Sequence, residues 1–195
     1  EKQERQNDLK ILKRVLAEIF TGQKVFEIAC GTGYWTQIVS QTAKSITATD
    51  INEEVLNIAR TKSGGCKVNF QKTDVFDLNP SPQNDFTAGL AAAWWSHLRK
   101  AQIKDFLLHF HRLFTPGSIL AFMDNKFVPG SNTPISRTDE EANTYKRRKL
   151  ENGDEHEVLK NFPDEKEVRT CIETIALEIC WTELPYYWLL TYKLK

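Results

Sequence analysis

The chain has no long apolar run: nowhere in its 195 residues do about 18 apolar residues follow one another, so no transmembrane helix is read from it. It has no charge of one sign to spare. The 26 basic residues are matched by 26 acidic ones, and the formal net charge is zero. That removes the broad basic footprint expected of a protein that binds nucleic acid or an anionic membrane surface. Cysteine is sparse and unpaired in spacing. Cys30, Cys66, Cys171 and Cys180 lie in or beside apparent secondary structure, which reads as reduced, packed thiols rather than as disulfides or a metal site. There is no internal repeat, no low-complexity tract and no signal-peptide pattern. The expectation is one domain in a cytoplasmic protein, monomeric or homodimeric, with no membrane, nucleic-acid or metal partner.

What is present is concentrated in one stretch, V-F-E-I-A-C-G-T-G-Y-W, from Val25 to Trp35. Val25, Phe26 and Ile28 have the apolar character of a buried strand, with Glu27 as the one charge inside it. Gly31 and Gly33, either side of Thr32, supply the positive φ a tight strand-to-helix turn needs, and leave room for a ligand to reach backbone amides. A helix entered near Tyr34 then turns unpaired N–H groups and a positive dipole end toward an anionic group. Further on, S-I-T-A-T-D-I-N reads as the next parallel strand, with Asp50 and Ile51 at its carboxyl end. An acid there can accept hydrogen bonds from ribose hydroxyls.

E-I-A-C-G-T-G-Y-W-T followed by T-D-I-N resembles the class I S-adenosylmethionine-dependent methyltransferases. The resemblance implies a doubly wound α/β fold with a seven-stranded, mostly parallel sheet whose last strand is antiparallel. It implies S-adenosylmethionine as cofactor, with S-adenosylhomocysteine as product, and a methyl acceptor. The small-molecule class of acceptor is the reading favoured here. It also implies a cofactor site of Glu27, Gly31, Thr32, Gly33, Trp35, Asp50, Ile51, Asp74, Val75 and Ala92, with Asp74 and Val75 at the adenine. The competing reading is an NAD(P)-binding Rossmann oxidoreductase, which would place a third Gly or Ala where Thr36 stands. A binding-only protein of the same fold is a third.

The rest of the chain alternates helix and strand. Leu9, Leu12, Leu16 and Ile19 give a first amphipathic helix over about residues 3–20, whose charged opening, E-K-Q-E-R-Q-N-D, is read as a solvated face with no part in a site. Asn52 is the expected N-cap of the helix that Gly64 and Gly65 end. Strands are expected over Lys67–Gln71, Asp85–Leu90 and Ser118–Met123, with S-P-Q-N (81–84) as a loop and a helix from Arg99 to Phe114. His109 and His111 are not one helical turn apart, so no shared metal is read from them. From about Lys126 to Lys160 an insertion carries a β-hairpin about Asn152-Gly153, a favoured type I′ pair. This insertion is read as a lid or wall over the acceptor. Asp164 and Glu167 form a capping box for a helix to about Ala176, and two strands meeting at Leu184-Pro185 close the chain.

For the transfer itself, His97, a few residues after the fourth strand, is the expected catalytic residue, with Asp124, at the end of the fifth, as an alternative or partner. Histidine suits a base because its ordinary pKa of about 6.5 lies near working pH. Trp94, Trp95 and Tyr145 are the expected acceptor-binding residues. Arg137, Arg147 and Arg148 have two readings, ordinary charge pairing on a hairpin or recognition of a carboxylate or phosphate. A-A-W-W after the fourth strand, where base methyltransferases often show N/D-P-P-Y, argues against a nucleic-acid acceptor.

Overall fold

A computed structural model describes residues 2–62, 64–78, 85–150 and 153–195. The expected loop over 81–84 and Asn152 of the hairpin turn lie outside the described residues. Helix α1 (Gln3–Ile19) leads into strand β1 (Lys24–Ile28), then α2 (Tyr34–Val39), β2 (Ser45–Asp50), α3 (Glu53–Lys62) and β3 (Lys67–Lys72). After β4 (Phe86–Ala92) come two short 3-10 turns and α4 (Ile103–His111), then β5 (Phe114–Asn125). The insertion holds β6 (Arg137–Thr138), β7 (Thr144–Lys149) and β8 (Glu155–Leu159). Helix α5 (Glu165–Ile172) precedes the closing strands β9 (Ala176–Glu183) and β10 (Tyr187–Leu194).

Seven strands form one sheet in the order β3-β2-β1-β4-β5-β10-β9, while β6, β7 and β8 make a separate three-stranded sheet. Strands β1 to β5 pair in parallel, and β10 runs antiparallel to both its neighbours. The expected fold class, with its antiparallel last strand, is the observed one.

Side chains of a strand alternate between faces, and here each face has its own core. Val25 packs with Leu12 and Leu16 of α1, with Phe20 just past its end and with Val39 of α2. Phe26 and Ile28 face the other way, toward Phe106 and Phe110 of α4 and Val168 and Ile172 of α5. Glu27 shares the parity of Val25, so a carboxyl group is carried into the interior near the end of β1, where it is 1% exposed.

Local signals hold where the chemistry is local. Asn52 caps α3, its Oδ1 accepting from the Glu54 N–H at 2.9 Å, and the capping box of Asp164 with Glu167 is present in full. The helix expected over Arg99–Phe114 is shorter, because residues 100–102 wind as a 3-10 turn and strand geometry begins at Phe114. The stretch 114–117 lies inside β5 as an irregularity, where the pairing with β4 shifts register between Phe86 and Ala88 and Gly117 takes φ +86°. The helix expected to reach Ala176 stops at Ile172, and Ala176 already belongs to β9. No helix among the described residues is long and apolar enough to cross a membrane.

Candidate functional site

The chain leaves β1 toward β2 and β3 on one side, and leaves β4 toward β5 on the other. Between the carboxyl ends of β1 and β4 the crossovers diverge, which opens a crevice where open α/β sheets take their ligands. Both strand exits are strained. Ala29, just past β1, has φ +49°, and Ala93, just past β4, has φ +56°. Left-handed backbone is disfavoured for a residue with a Cβ, and such strain clusters where a ligand is held. Sequence reading passed over both alanines, since nothing in an alanine announces its φ.

Gly31 and Gly33 are left-handed as expected, at φ +55° and +76°, but for different reasons. A Cβ on Gly33 would lie 2.9 Å from the Ala59 Cβ, so this glycine lets α3 pack against the turn. A Cβ on Gly31 would meet no atom within 4 Å, so this glycine faces open space. Half-buried Thr32 lies between them. The Gly31 N–H donates to Asp50 Oδ2 at 2.9 Å, and the Asn52 N–H donates to Asp50 Oδ1 at 3.0 Å. Asp50 thus ties the glycine turn to the start of α3, with lone pairs left for a ligand's hydroxyls.

Behind the turn, Glu27 Oε2 is buried with no hydrogen-bond partner. Burial pushes the Glu27 carboxyl up from 4.5 to about 7, with the Thr36 hydroxyl opposing. An unsatisfied buried carboxyl oxygen is costly, and a donor or cation entering the crevice would relieve it. Burial, and then the negative charges of Glu27 and Asp50, push the Cys30 thiol well above its ordinary value, so it is packed and unreactive.

On the expected adenine side, Asp74 Oδ1 accepts from the Phe76 N–H at 2.9 Å, and Val75 is 8% exposed against the core. Ile51 is 61% exposed beyond β2, an apolar surface beside Asp50 with no protein cover. Ala92 is buried at the end of β4. Trp94 is half-buried between Phe76 and Phe106, its ring 6.4 and 6.2 Å from theirs. Trp95, expected at the acceptor, is instead core: it is 1% exposed, with its ring edge-on to Phe122 at 5.4 Å and Trp188 at 6.2 Å.

Toward β5 the crevice widens into a cavity of about 390 Å³ lined by Trp35, Ala93 and Asp124, by Arg5 and Leu9 of α1, and by Tyr187 of β10. The charged start of α1 is therefore part of the wall through Arg5 and Gln6, and not the plain solvated face expected of it. Arg5 Nε donates to the Tyr187 hydroxyl at 3.0 Å. The Tyr186 N–H donates to Asp8 Oδ2 at 2.7 Å, and the Tyr186 hydroxyl donates to Glu4 Oε2 at 3.1 Å. A signal was there: Asp8 continues the four-residue spacing of Leu12 and Leu16, and all three are buried.

Asp124 is fully engaged. Its Oδ1 accepts from Lys160 Nζ at 2.9 Å and the Asn125 N–H at 2.7 Å, and its Oδ2 accepts from the Ser96 N–H at 3.0 Å. Lys160, the residue after β8, thereby fastens the insertion to the end of β5. His97 hydrogen-bonds the Leu159 backbone and lines neither this cavity nor the one under the insertion. Burial and then Lys160 hold its pKa below the ordinary value, with Asp124 opposing. Tyr145 lies on the far face of the insertion, its hydroxyl donating to Asp139 Oδ2 at 3.0 Å and its ring 3.8 Å from the Arg137 guanidinium carbon. His97 and Asp124, expected as alternatives or partners in the transfer, share one charged cluster, but only Asp124 reaches the cavity wall.

A glycine turn at the switch point of a parallel sheet, with an acid at the end of β2, defines an open α/β ligand-binding fold. Residues 25–117 match the family described as a methyltransferase domain. Among solved structures, the chain is similar to DhpI in complex with SAH, at 26% identity and a TM-score of 0.76 over 97% of this chain and 85% of that one. The DhpI–SAM–HEP complex superposes with a TM-score of 0.75 at 25% identity, covering 93% of this chain and 82% of that one. Magnesium protoporphyrin IX methyltransferase (ChlM) from Synechocystis PCC 6803 with bound SAM shares the fold at 14% identity, with a TM-score of 0.64 over 98% and 80% of the two chains. No curated protein sequence matches. Within the matched residues the chain carries a methyltransferase domain, and over its length it is similar to S-adenosylmethionine-dependent methyltransferases.

Proposed function

We propose that the protein binds S-adenosylmethionine at the glycine turn and moves its methyl group to a small-molecule acceptor seated between α1, β5 and the insertion. The observation that carries this reading is the pairing at the turn: Gly31 faces open space, and an unpartnered oxygen of Glu27 is buried behind it. The residues fit the cofactor. Asp50 has lone pairs for ribose hydroxyls, Asp74 with Val75 and Ile51 offers an acid and apolar surface for adenine, and Glu27 suits an ammonium group. When bound, S-adenosylmethionine supplies a methyl group already activated on a sulfonium sulfur, displaced in line by the acceptor atom. The protein's task is then approach and alignment. Trp35 and Ala93 wall the cavity, α1 and Tyr187 close it, and Asp124 sits at its floor, held by Lys160 and Ser96. His97, off the cavity wall, is assigned a positioning role at the root of the insertion.

Calorimetry with S-adenosylmethionine, S-adenosylhomocysteine and NADH tests the cofactor. Asp50→Ala is expected to weaken both sulfur nucleosides by about 1.5–3 kcal/mol, the range for hydrogen bonds to a charged group. Gly31→Val is expected to abolish their binding by filling the space above the turn. Binding of NADH alone, or affinities unchanged in both variants, would overturn the reading. Turnover on a panel of small metabolites separates an enzyme from a binding-only protein.

A further inference from the structure

The insertion sorts its charges by face, because alternate residues of a strand point opposite ways. On the outer face charge is balanced. Arg137 pairs with Glu157 at 2.9 Å, Arg147 adds its charge to the same carboxylate, and Tyr145 donates to Asp139. The inner face is different. Lys146 and Arg148 of β7, and Lys160 beyond β8, border a cavity of about 300 Å³ whose other walls include Arg5 and Lys126. Among the described residues its walls carry five cationic side chains and no carboxylate.

Three of the five have partners. Lys160 is held by Asp124, Lys126 pairs with Glu183, and Arg5 donates to Tyr187. Lys146 and Arg148 enter no ion pair among the described residues. Lys146 is 8% exposed, its ammonium 4.5 Å from the Phe162 ring centroid and 5.5 Å from that of Phe127. Burial lowers its pKa, and the charges of Lys160 and Arg148 lower it further, which is the mark of cations gathered without a counter-charge. Such a cluster in a half-closed cavity attracts an anion, and a planar guanidinium beside an ammonium suits an oxoanion. The cavity shares Arg5 and Asn125 with the one that reaches Trp35 and Asp124, so the two adjoin.

We propose that the acceptor carries an oxoanion, carboxylate or phosphoryl, that seats between Lys146 and Arg148 and sets the distance of its reacting atom from the methyl group. This rests on the methyltransferase reading above. It gives the neutral chain a local basic site that total charge conceals. It also gives the insertion a purpose, since the hairpin brings the anion's partners over the end of β5.

The test is calorimetry on the full chain loaded with S-adenosylhomocysteine, titrated with inorganic phosphate and with acetate at fixed ionic strength. Saturable binding of at least one anion is expected, and the tighter of the two identifies the group the acceptor bears. Arg148→Ala and Lys146→Met are each expected to weaken it by roughly tenfold or more, the order for one charge-assisted hydrogen bond. Arg147→Ala, on the outer face, is expected to leave it unchanged. Should Lys146→Met fail to fold, Arg148→Glu, at an exposed position, decides the matter by reversing one charge. Absence of saturable binding by either anion, or equal loss in Arg147→Ala, overturns the proposal while S-adenosylhomocysteine binding stands. Failure of S-adenosylhomocysteine to bind the unmodified chain overturns the methyltransferase reading instead.

Discussion

Glu27 is a carboxyl held near neutrality by its surroundings, and its titration reports what enters the crevice. Its pKa is raised from 4.5 to about 7, so the folded protein keeps a proton that the unfolded chain has lost over that window. Glu27 therefore contributes stability below pH 4.5 that is lost as pH rises to about 7. A bound ammonium group favours the ionised form. Below pH 7, affinity for S-adenosylmethionine is expected to fall with decreasing pH, by up to about tenfold per unit, and to level off above. Calorimetry across pH 5.5 to 8 on the protein and on Glu27→Gln checks this; a slope that survives in the variant assigns it to another group. His97 makes the opposite case. A proton-transferring base contributes roughly 10²–10⁴-fold to kcat. With its ring against the Leu159 backbone and off the cavity wall, His97→Ala is expected to lower kcat by less than about tenfold at any pH from 6 to 9. A larger, pH-dependent loss in steady-state kinetics would return it to the chemistry.

Among elements, the insertion is the one whose attachment carries information. Its sheet of β6, β7 and β8 is fastened to the main sheet by a buried ion pair, Lys160 with Asp124, whose side chains are 9% and 0% exposed. Removing one member of a buried pair leaves a bare charge behind, at a cost of about 3–5 kcal/mol. Lys160→Met is expected to lose stability in that range by urea denaturation, and to raise amide exchange over β7 and β8 first. Adding Asp124→Asn is expected to recover part of the loss, because the stranded charge goes too. If the double variant is no more stable than the single, the pair is not what holds the insertion down. Asn161 reinforces the joint: its N–H donates to the Ser96 carbonyl at 2.7 Å and its Nδ2 to the Leu98 carbonyl at 2.8 Å. The turn after β4 and the return of the insertion therefore move as one piece.

Over the whole molecule, legibility followed distance along the chain. The glycine turn, the acid at the end of β2 and the helix caps are short-range patterns, and residues such as Gly31, Asp50 and Asp164 stand where the sequence placed them. The cavities beside β5 draw on Arg5, Asp124, Arg148 and Tyr187, which no local period relates. Trp95 was misplaced for the same reason: an aromatic after a central strand reads alike whether it turns to a cleft or to Phe122 and Trp188. Charge was hidden by averaging, since a neutral total says nothing of how two faces of one hairpin divide it. One consequence lies in the order of synthesis. The Asp8–Tyr186 bond closes a separation of 178 residues and the Arg5–Tyr187 bond one of 182. The later half of α1, through Leu12 and Leu16, packs on β1 and α2, which follow it immediately. Its first turns must wait until β10 has been made, and contacts across so long a separation are slow to close. During synthesis the glycine turn can therefore assemble ahead of the chamber beside it, which is complete only when β10 meets the first turns of α1.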